Sequence, residues 1–211
     1  MDLKKLSKLY AIVDRATLGA RGVSVGEFAR ELRDAGVRLL QYRDKTGDEQ
    51  VIQDNAERIG ELFEGSGAWL VMNDRSDVMM LARWHGVHVG QDDLSPEDAR
   101  IVIGDGRLIG VSTHTEEQVR VAEASRADYV AIGPVFATGT KANAAPVVGL
   151  EGVRQARTLT TKPLVAIGGI TRENARSVIE AGADSVAVIG ALFGDGEPVE
   201  KVVRDFMEIL G

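Results

Sequence analysis

Short β-branched or aliphatic runs alternate with longer amphipathic stretches from one end of the chain to the other. Read as strands, the short runs are Leu9–Asp14, Leu39–Arg43, Trp69–Asn73, Gly86–Gly90, Leu108–Ser112, Tyr129–Gly133, Leu164–Ile167 and Ser185–Ile189. Between and after them the helical period predicts helices near Val25–Ala35, Asp48–Phe63, Arg75–Trp84, Pro96–Val102, Glu116–Ser125, Leu150–Leu159, Arg172–Ala181 and Pro198–Leu210. Helix starts carry physical signals. Ser95 before Pro96 reads as an N-cap with proline in the first turn, and Thr115-Glu-Glu-Gln118 as a capping box. Gly36 and Gly182 stand where left-handed C-caps would hand over to the next strand.

The handover itself recurs, as Ala35-Gly-Val37, Trp84-His-Gly-Val87, Ala127-Asp-Tyr129 and Ala181-Gly-Ala-Asp184. It is a weak repeat of a strand–helix unit. No Ser-rich, Pro-rich or single-sign linker divides the chain, so residues 1–211 are expected to form a single domain. Unbroken strand–helix units favour an α/β fold of the closed (β/α)8 TIM-barrel kind over an open doubly wound sheet. The dinucleotide fingerprint of the open fold is missing, because Gly104-Asp-Gly106 follows a helix and precedes a strand.

Composition narrows the chemistry. The 211 residues are 44% hydrophobic and 27% charged, which leaves ample material for a core. A formal net charge of −7 argues against broad nucleic-acid binding, but not against a local cationic pocket for one phosphorylated ligand. The absence of cysteine removes disulfides, thiolate nucleophiles and cysteine zinc sites together. Lys4, Lys5 and Lys8 precede an apolar stretch that stops at Asp14, too short for a signal peptide, and no apolar run approaches a membrane span. A cytoplasmic protein is expected.

In a barrel, function should collect where each strand runs into the following loop. The second strand ends Gln41-Tyr-Arg43-Asp-Lys45, and alternation puts Gln41, Arg43 and Lys45 on one face, opposite Leu40 and Tyr42. Cations on an interior face call for an anionic ligand; a solvated strand end paired to local carboxylates would also explain them. The third and fourth strands end in Asn73-Asp74 and Asp92-Asp93. Carboxylates on neighbouring strand ends can share one magnesium ion whose shell phosphate oxygens complete, or Asp74 and Asp92 can simply cap the next helices. Lone histidines are more often structural than chemical, so neither His88 nor His114 is nominated. The fifth strand ends at Ser112. The sixth leads into Thr138-Gly-Thr140-Lys141, where hydroxyls, a glycine and a lysine suit a phosphate. Gly168, Gly169 and Gly190 follow the last two strands, as in many barrel phosphate cradles. The inventory fits displacement of a pyrophosphate better than covalent catalysis.

Together these segments resemble thiamine phosphate synthase over nearly the whole chain. The resemblance rests on Gln41-Tyr-Arg-Asp-Lys45, Asn73-Asp74, His88-Val-Gly-Gln-Asp-Asp93, Gly110-Val-Ser-Thr-His114, Asp128 to Phe136, Thr138-Gly-Thr-Lys141 and Ala166-Ile-Gly-Gly-Ile170. It implies a magnesium-dependent transferase of thiamine biosynthesis. Such an enzyme joins a hydroxymethylpyrimidine diphosphate to a thiazole phosphate, carboxylated or not, with release of pyrophosphate. By that resemblance Gln41, Arg43, Lys45, Asn73 and Lys141 hold the pyrimidine diphosphate, and Ser112 contacts the pyrimidine. Asp74 and Asp93 bind Mg2+, and Asp92 is no ligand. Thr138, Thr140, Gly169, Ile189 and Gly190 surround the thiazole phosphate. Arg43, Lys45, Lys141 and Ser112 carry the catalytic roles.

Two positions depart from the family pattern: Ala137 stands where proline is usual, and Gly190 where serine is usual. The alternatives are a thiazole tautomerase-like barrel, for which His114 would be the acid or base, and a non-catalytic precursor-binding protein. The expected partners are small phosphorylated substrates and a second copy in a homodimer, without nucleic acid or membrane. Until substrate arrives, Arg43 is expected to be charged and unpaired, so that its removal would spare the fold.

Overall fold

The computed structural model describes residues 6–139, 145–194 and 196–211. In chain order the elements are β1 Leu9–Asp14, α1 Arg15–Arg21, α2 Val25–Asp34, β2 Leu39–Arg43, α3 Glu49–Phe63, β3 Trp69–Asn73, α4 Ser76–Leu81 and β4 Gly86–Val89. There follow α5 Pro96–Ile103, β5 Leu108–Thr113, α6 Glu116–Ala124, β6 Tyr129–Ile132, α7 Gly149–Leu159, β7 Leu164–Ile167, α8 Ala175–Glu180, β8 Ser185–Val188 and α9 Val199–Leu210. The strands are parallel and close on themselves in the order β1 to β8, with β8 back against β1. This is the (β/α)8 barrel. No helix among the described residues is long and apolar enough to cross a membrane.

Strand alternation sorts the chain into two cores. Residues such as Ala11, Val13, Leu40, Tyr42, Met72 and Val87 face outward and pack under the helices. Tyr10, Ile12, Leu39, Val71, Tyr129, Val165 and Ala187 fill the barrel interior. Polar positions of the same inward set continue toward the C-terminal mouth: Gln41 pairs in register with Ile12, Arg43 with Asp14, and Asn73 with His88.

The start signals have their partners. Ser95 Oγ accepts the Asp98 N–H at 3.1 Å, and Thr115 Oγ1 accepts the Gln118 N–H at 3.3 Å. The Gln118 side chain reaches one residue beyond the cap and accepts from His114 N–H at 2.7 Å. Three differences from the periodicity have local causes. α1 escapes the hydrophobic pattern because it buries only Leu18; Asp14 caps it and Gly22, at φ +67°, ends it. α4 stops at Leu81 because Arg83 turns left-handed at φ +54° and Trp84 N–H bonds Met79. α8 begins at Ala175, later than Arg172, because the Asn174 side chain is engaged by Thr171 N–H and Gly169 O and holds those residues in a loop.

The recurring handover has a structural reason at two of its occurrences. Asp128 and Asp184 each accept an N–H from the start of the neighbouring strand, that of Ile109 and of Leu164, at 2.7 Å. Each also pairs with an arginine, Arg100 at 2.6 Å and Arg157 at 2.8 Å. The same device ties adjacent strand starts at the N-terminal end of the barrel.

Candidate active site

A cavity of about 570 Å³ opens at the C-terminal mouth and takes lining residues from all eight strands or the loops that follow them. Gln41, Arg43, Lys45, Asn73, Asp74, Asp93 and Ser112 line one part of it. Thr138, Gly169, Ile189 and Gly190 line another. Thr140 and Lys141 lie outside the described residues.

β2 delivers its polar residues in a fixed order. Gln41 is buried and its Nε2 donates to Tyr10 Oη at 2.9 Å. One layer higher, Arg43 donates to Asp14 at 2.8 Å. Asp14 is only 2% exposed and also accepts the N–H and hydroxyl of Thr17. Arg43 therefore has a buried counter-ion before any ligand arrives, which corrects the expectation that it stands unpaired. Beyond it, Asp44 accepts from Tyr42 Oη, Thr46 N–H and Gly47 N–H, folding the loop that carries Lys45. A Cβ on Gly47 would lie 2.5 Å from Asp44 Oδ2, so the tight turn needs glycine there.

Lys45 closes an ion pair with Asp74, and its Nζ stands 4.0 Å from Asp93. Asp74 occupies the left-handed region at φ +61°, which a non-glycine residue adopts at a cost, and its side chain accepts from Asn73 Nδ2 at 2.6 Å. Its side chain does not cap α4. Asp93 accepts the Gly90 N–H at 2.8 Å, which closes a turn just past β4. Burial and the neighbouring Asp93 push the Asp74 carboxyl above the ordinary range, only partly offset by Lys45. Burial works against Asp93 too, but hydrogen bonds to Asp74 and the Gly90 N–H, with Lys45 nearby, hold it below the ordinary range. The two behave as one acidic pair whose last proton rests on Asp74. Asp92 lines the cavity but is exposed, and Ser95 caps the helix that follows it.

The donor set fits magnesium of the kind that uses one or two carboxylates and leaves the remaining positions to phosphate and water. Two acidic side chains from different loops meet around one cation, the Lys45 ammonium. No group of three or more acidic or histidine ligands occurs among the described residues.

Across the cavity, Gly169 takes φ +63°, and a Cβ there would come within 2.5 Å of Ala137 O. At Gly168, φ +102°, a Cβ would strike Pro134. These glycines let the β6 and β7 loops touch, with Phe136 N–H donating to Gly168 O at 2.9 Å. Gly190 is different: a Cβ there would meet nothing within 4 Å.

Sequence reasoning missed Asp14, Tyr10, Tyr129 and the role of His88. Asp14 was findable, being the one acidic residue within the first strand; the tyrosines read as ordinary core. His88 bonds Ser112 Oγ through Nε2 at 2.8 Å and Tyr129 Oη through Nδ1 at 2.9 Å. His114 Nδ1 meets Gly133 O at 2.5 Å, so that nitrogen carries a proton.

Residues 9–192 match the family model described as thiamine monophosphate synthase. The chain belongs to that family. It is 51% identical over 208 residues to the thiamine-phosphate synthase of Koribacter versatilis, covering 98% of this chain and 97% of that one. It is 40% identical over 182 residues to the enzyme of the same name from Shouchella clausii, 86% of either chain. Among solved structures it resembles thiamine phosphate pyrophosphorylase from Pyrococcus furiosus, with a TM-score of 0.88 at 32% identity over 99% of this chain and 98% of that one.

Proposed function

We propose that this chain, acting as one catalytic unit over residues 1–211, condenses 4-amino-2-methyl-5-hydroxymethylpyrimidine diphosphate with a thiazole phosphate to give thiamine phosphate and pyrophosphate. The observation that carries the reading is the meeting of Arg43, Lys45, Asp74 and Asp93 at one end of a cavity that also holds Gln41 and Ser112. Such a cluster suits a diphosphate and a divalent cation together, and the family membership agrees with it.

Bound to Asp74 and Asp93, magnesium would neutralise charge on the diphosphate. Lys45 then exchanges its carboxylate partners for phosphate oxygens, and Arg43 offers the leaving group the donors that Asp14 does not use. Both contacts strengthen as charge grows on the departing pyrophosphate, so they lower the barrier and not merely the binding constant. Lys141 is assigned to the same task by resemblance. Gln41, Asn73 and Ser112 hold the aminopyrimidine so that its ring can release electrons to the exocyclic methylene as the carbon–oxygen bond breaks. The thiazole nitrogen then captures that carbon, its phosphate held near Thr138, Thr140, Gly169, Ile189 and Gly190. The protein mainly positions two substrates and stabilises charge.

A homodimer in the cytoplasm remains part of this proposal; the exposed Leu81, Ile101 and Val121 are apolar surface that a second copy would cover. The deciding experiment supplies both substrates and magnesium and measures thiamine phosphate. Product that depends on both substrates is expected. Binding of either substrate without turnover would identify a sensor, and proton exchange on the thiazole alone a tautomerase.

A further inference from the structure

The barrel floor contains a continuous hydrogen-bond chain that the proposed chemistry leaves unused. Gln41 Nε2 donates to Tyr10 Oη at 2.9 Å, and Tyr10 Oη lies 3.0 Å from Tyr129 Oη. Tyr129 Oη lies 2.9 Å from His88 Nδ1, and His88 Nε2 lies 2.8 Å from Ser112 Oγ. The chain crosses the interior from β2 through β1, β6 and β4 to β5, and its two ends, Gln41 and Ser112, line the cavity.

Proton accounting gives it a direction. Gln41 donates to Tyr10, so the Tyr10 proton goes to Tyr129, the Tyr129 proton to His88 Nδ1, and the His88 Nε2 proton to Ser112. The Ser112 proton is left for the cavity. In the opposite direction Tyr10 would accept twice, and its own proton would have no further acceptor among the described residues. An imidazolium meets the same obstacle, since it would donate at both nitrogens and turn Tyr129 toward Tyr10. Burial keeps both phenols protonated, so every link has its donor. The path is also built for: a Cβ on Gly110 would lie 2.0 Å from Tyr129 Cζ, so glycine on β5 admits the ring.

We propose that Tyr10, Tyr129 and His88 are positioning residues that lock Gln41 and Ser112 into opposite roles, the Gln41 amide as acceptor and the Ser112 hydroxyl as donor toward the substrate ring. The complementary ligand is a heteroaromatic with an amino group on one edge and an unprotonated ring nitrogen on another. This deepens the proposed function and rests on the pyrimidine being that ring. Reversal at one end would require reversal at the other, so the site selects one orientation of an aminopyrimidine.

The test uses the full chain labelled with nitrogen-15, its three histidines told apart by substituting His85 and His114 singly. NMR should find His88 neutral, protonated at Nε2 and bare at Nδ1, and Tyr129→Phe should abolish that preference. Tyr10→Phe and Tyr129→Phe should each raise KM for the pyrimidine diphosphate about tenfold, the value of one buried hydrogen bond, with KM for the thiazole phosphate unchanged. Because both act through one chain, the double variant should lose little more than the worse single. Equal changes in both KM values, additive losses, or a His88 proton on Nδ1 would overturn the proposal. If the wild type makes no thiamine phosphate the functional reading fails, while the tautomer and its response to Tyr129→Phe still judge the relay.

Discussion

Both ends of the barrel carry charged clusters, yet they are built on opposite principles. At the N-terminal end the cations are consumed by backbone. Arg100, 7% exposed, donates to the carbonyls of Gly104, Arg107 and Arg126 and to Asp128. Lys162 donates to Ala122 O and Ser125 O. At the C-terminal mouth Lys45 is half-exposed and is held by carboxylates that a divalent cation would itself attract. Charges of the first kind staple loops and cannot leave; charges of the second kind can change partners. The difference teaches that charge in a strand-end loop indicates chemistry only where its present partners are themselves exchangeable.

The comparison breaks most sharply at Arg43. Arg43→Ala is expected to lower kcat/KM by about two to three orders of magnitude, since it removes a charge-assisted contact that grows in the transition state. It should also lower the melting temperature, because among the described residues buried Asp14 keeps only Thr17 as a partner. Adding Asp14→Asn should restore the melting temperature without restoring turnover. Recovery of activity in that double variant would contradict a direct role for the guanidinium.

Arg100→Met should do the reverse. Losing four acceptors' donor at a buried site is expected to cost about 3 kcal/mol of stability, read as a drop in denaturation midpoint. Both KM values of the folded fraction should stay at wild type. A selective rise in either would mean the N-terminal cluster reaches the site.

Asp74→Asn tests the acidic pair itself. The magnesium concentration needed for half-maximal rate should rise roughly tenfold or more, amides being poorer ligands for a hard cation. Asp93→Asn should act in the same direction. Stability separates Asp74 from the stapling charges. Asp74 is raised in the fold, so its ionised form is disfavoured there relative to the unfolded chain. At neutral pH the Asp74→Asn protein should therefore melt no lower than wild type, and any advantage should vanish as acid protonates the carboxyl in both states. A clear loss of melting temperature at pH 7, or full wild-type activity in excess EDTA, would refute the assignment.

The smallest effect is expected at Gly190. Space for a Cβ is available there, whereas Gly168 and Gly169 have none. A phosphate at this end would draw mainly on backbone N–H groups, so Gly190→Ser adds one hydroxyl to an existing cradle. KM for the thiazole phosphate should fall several-fold and KM for the pyrimidine diphosphate should barely change. Loss of activity would show that glycine is needed at this position for its backbone.

Much of this protein follows from periodicity alone. Alternation along β2 separates Gln41 and Arg43 from Leu40 and Tyr42 whatever the rest of the chain does, because successive side chains on a strand must point opposite ways, while Lys45 lies in the loop past the strand end. Strand–helix repetition leads to the barrel, and the barrel names the strand ends as the place to look. What periodicity does not contain is register. Only the pairing of neighbouring strands sets Asp14 against Arg43 and lays Gly110 beside Tyr129, and only the folded mouth brings Asp74 and Asp93 to one lysine. Tyr10 and Tyr129 look in sequence like any buried aromatic; their hydroxyls become a relay because residues 119 positions apart meet inside a closed cylinder. Local chemistry determines which residues face inward. Which inward residues touch is decided by tertiary structure, since hydrogen bonds act over 3 Å and the sequence carries no distances.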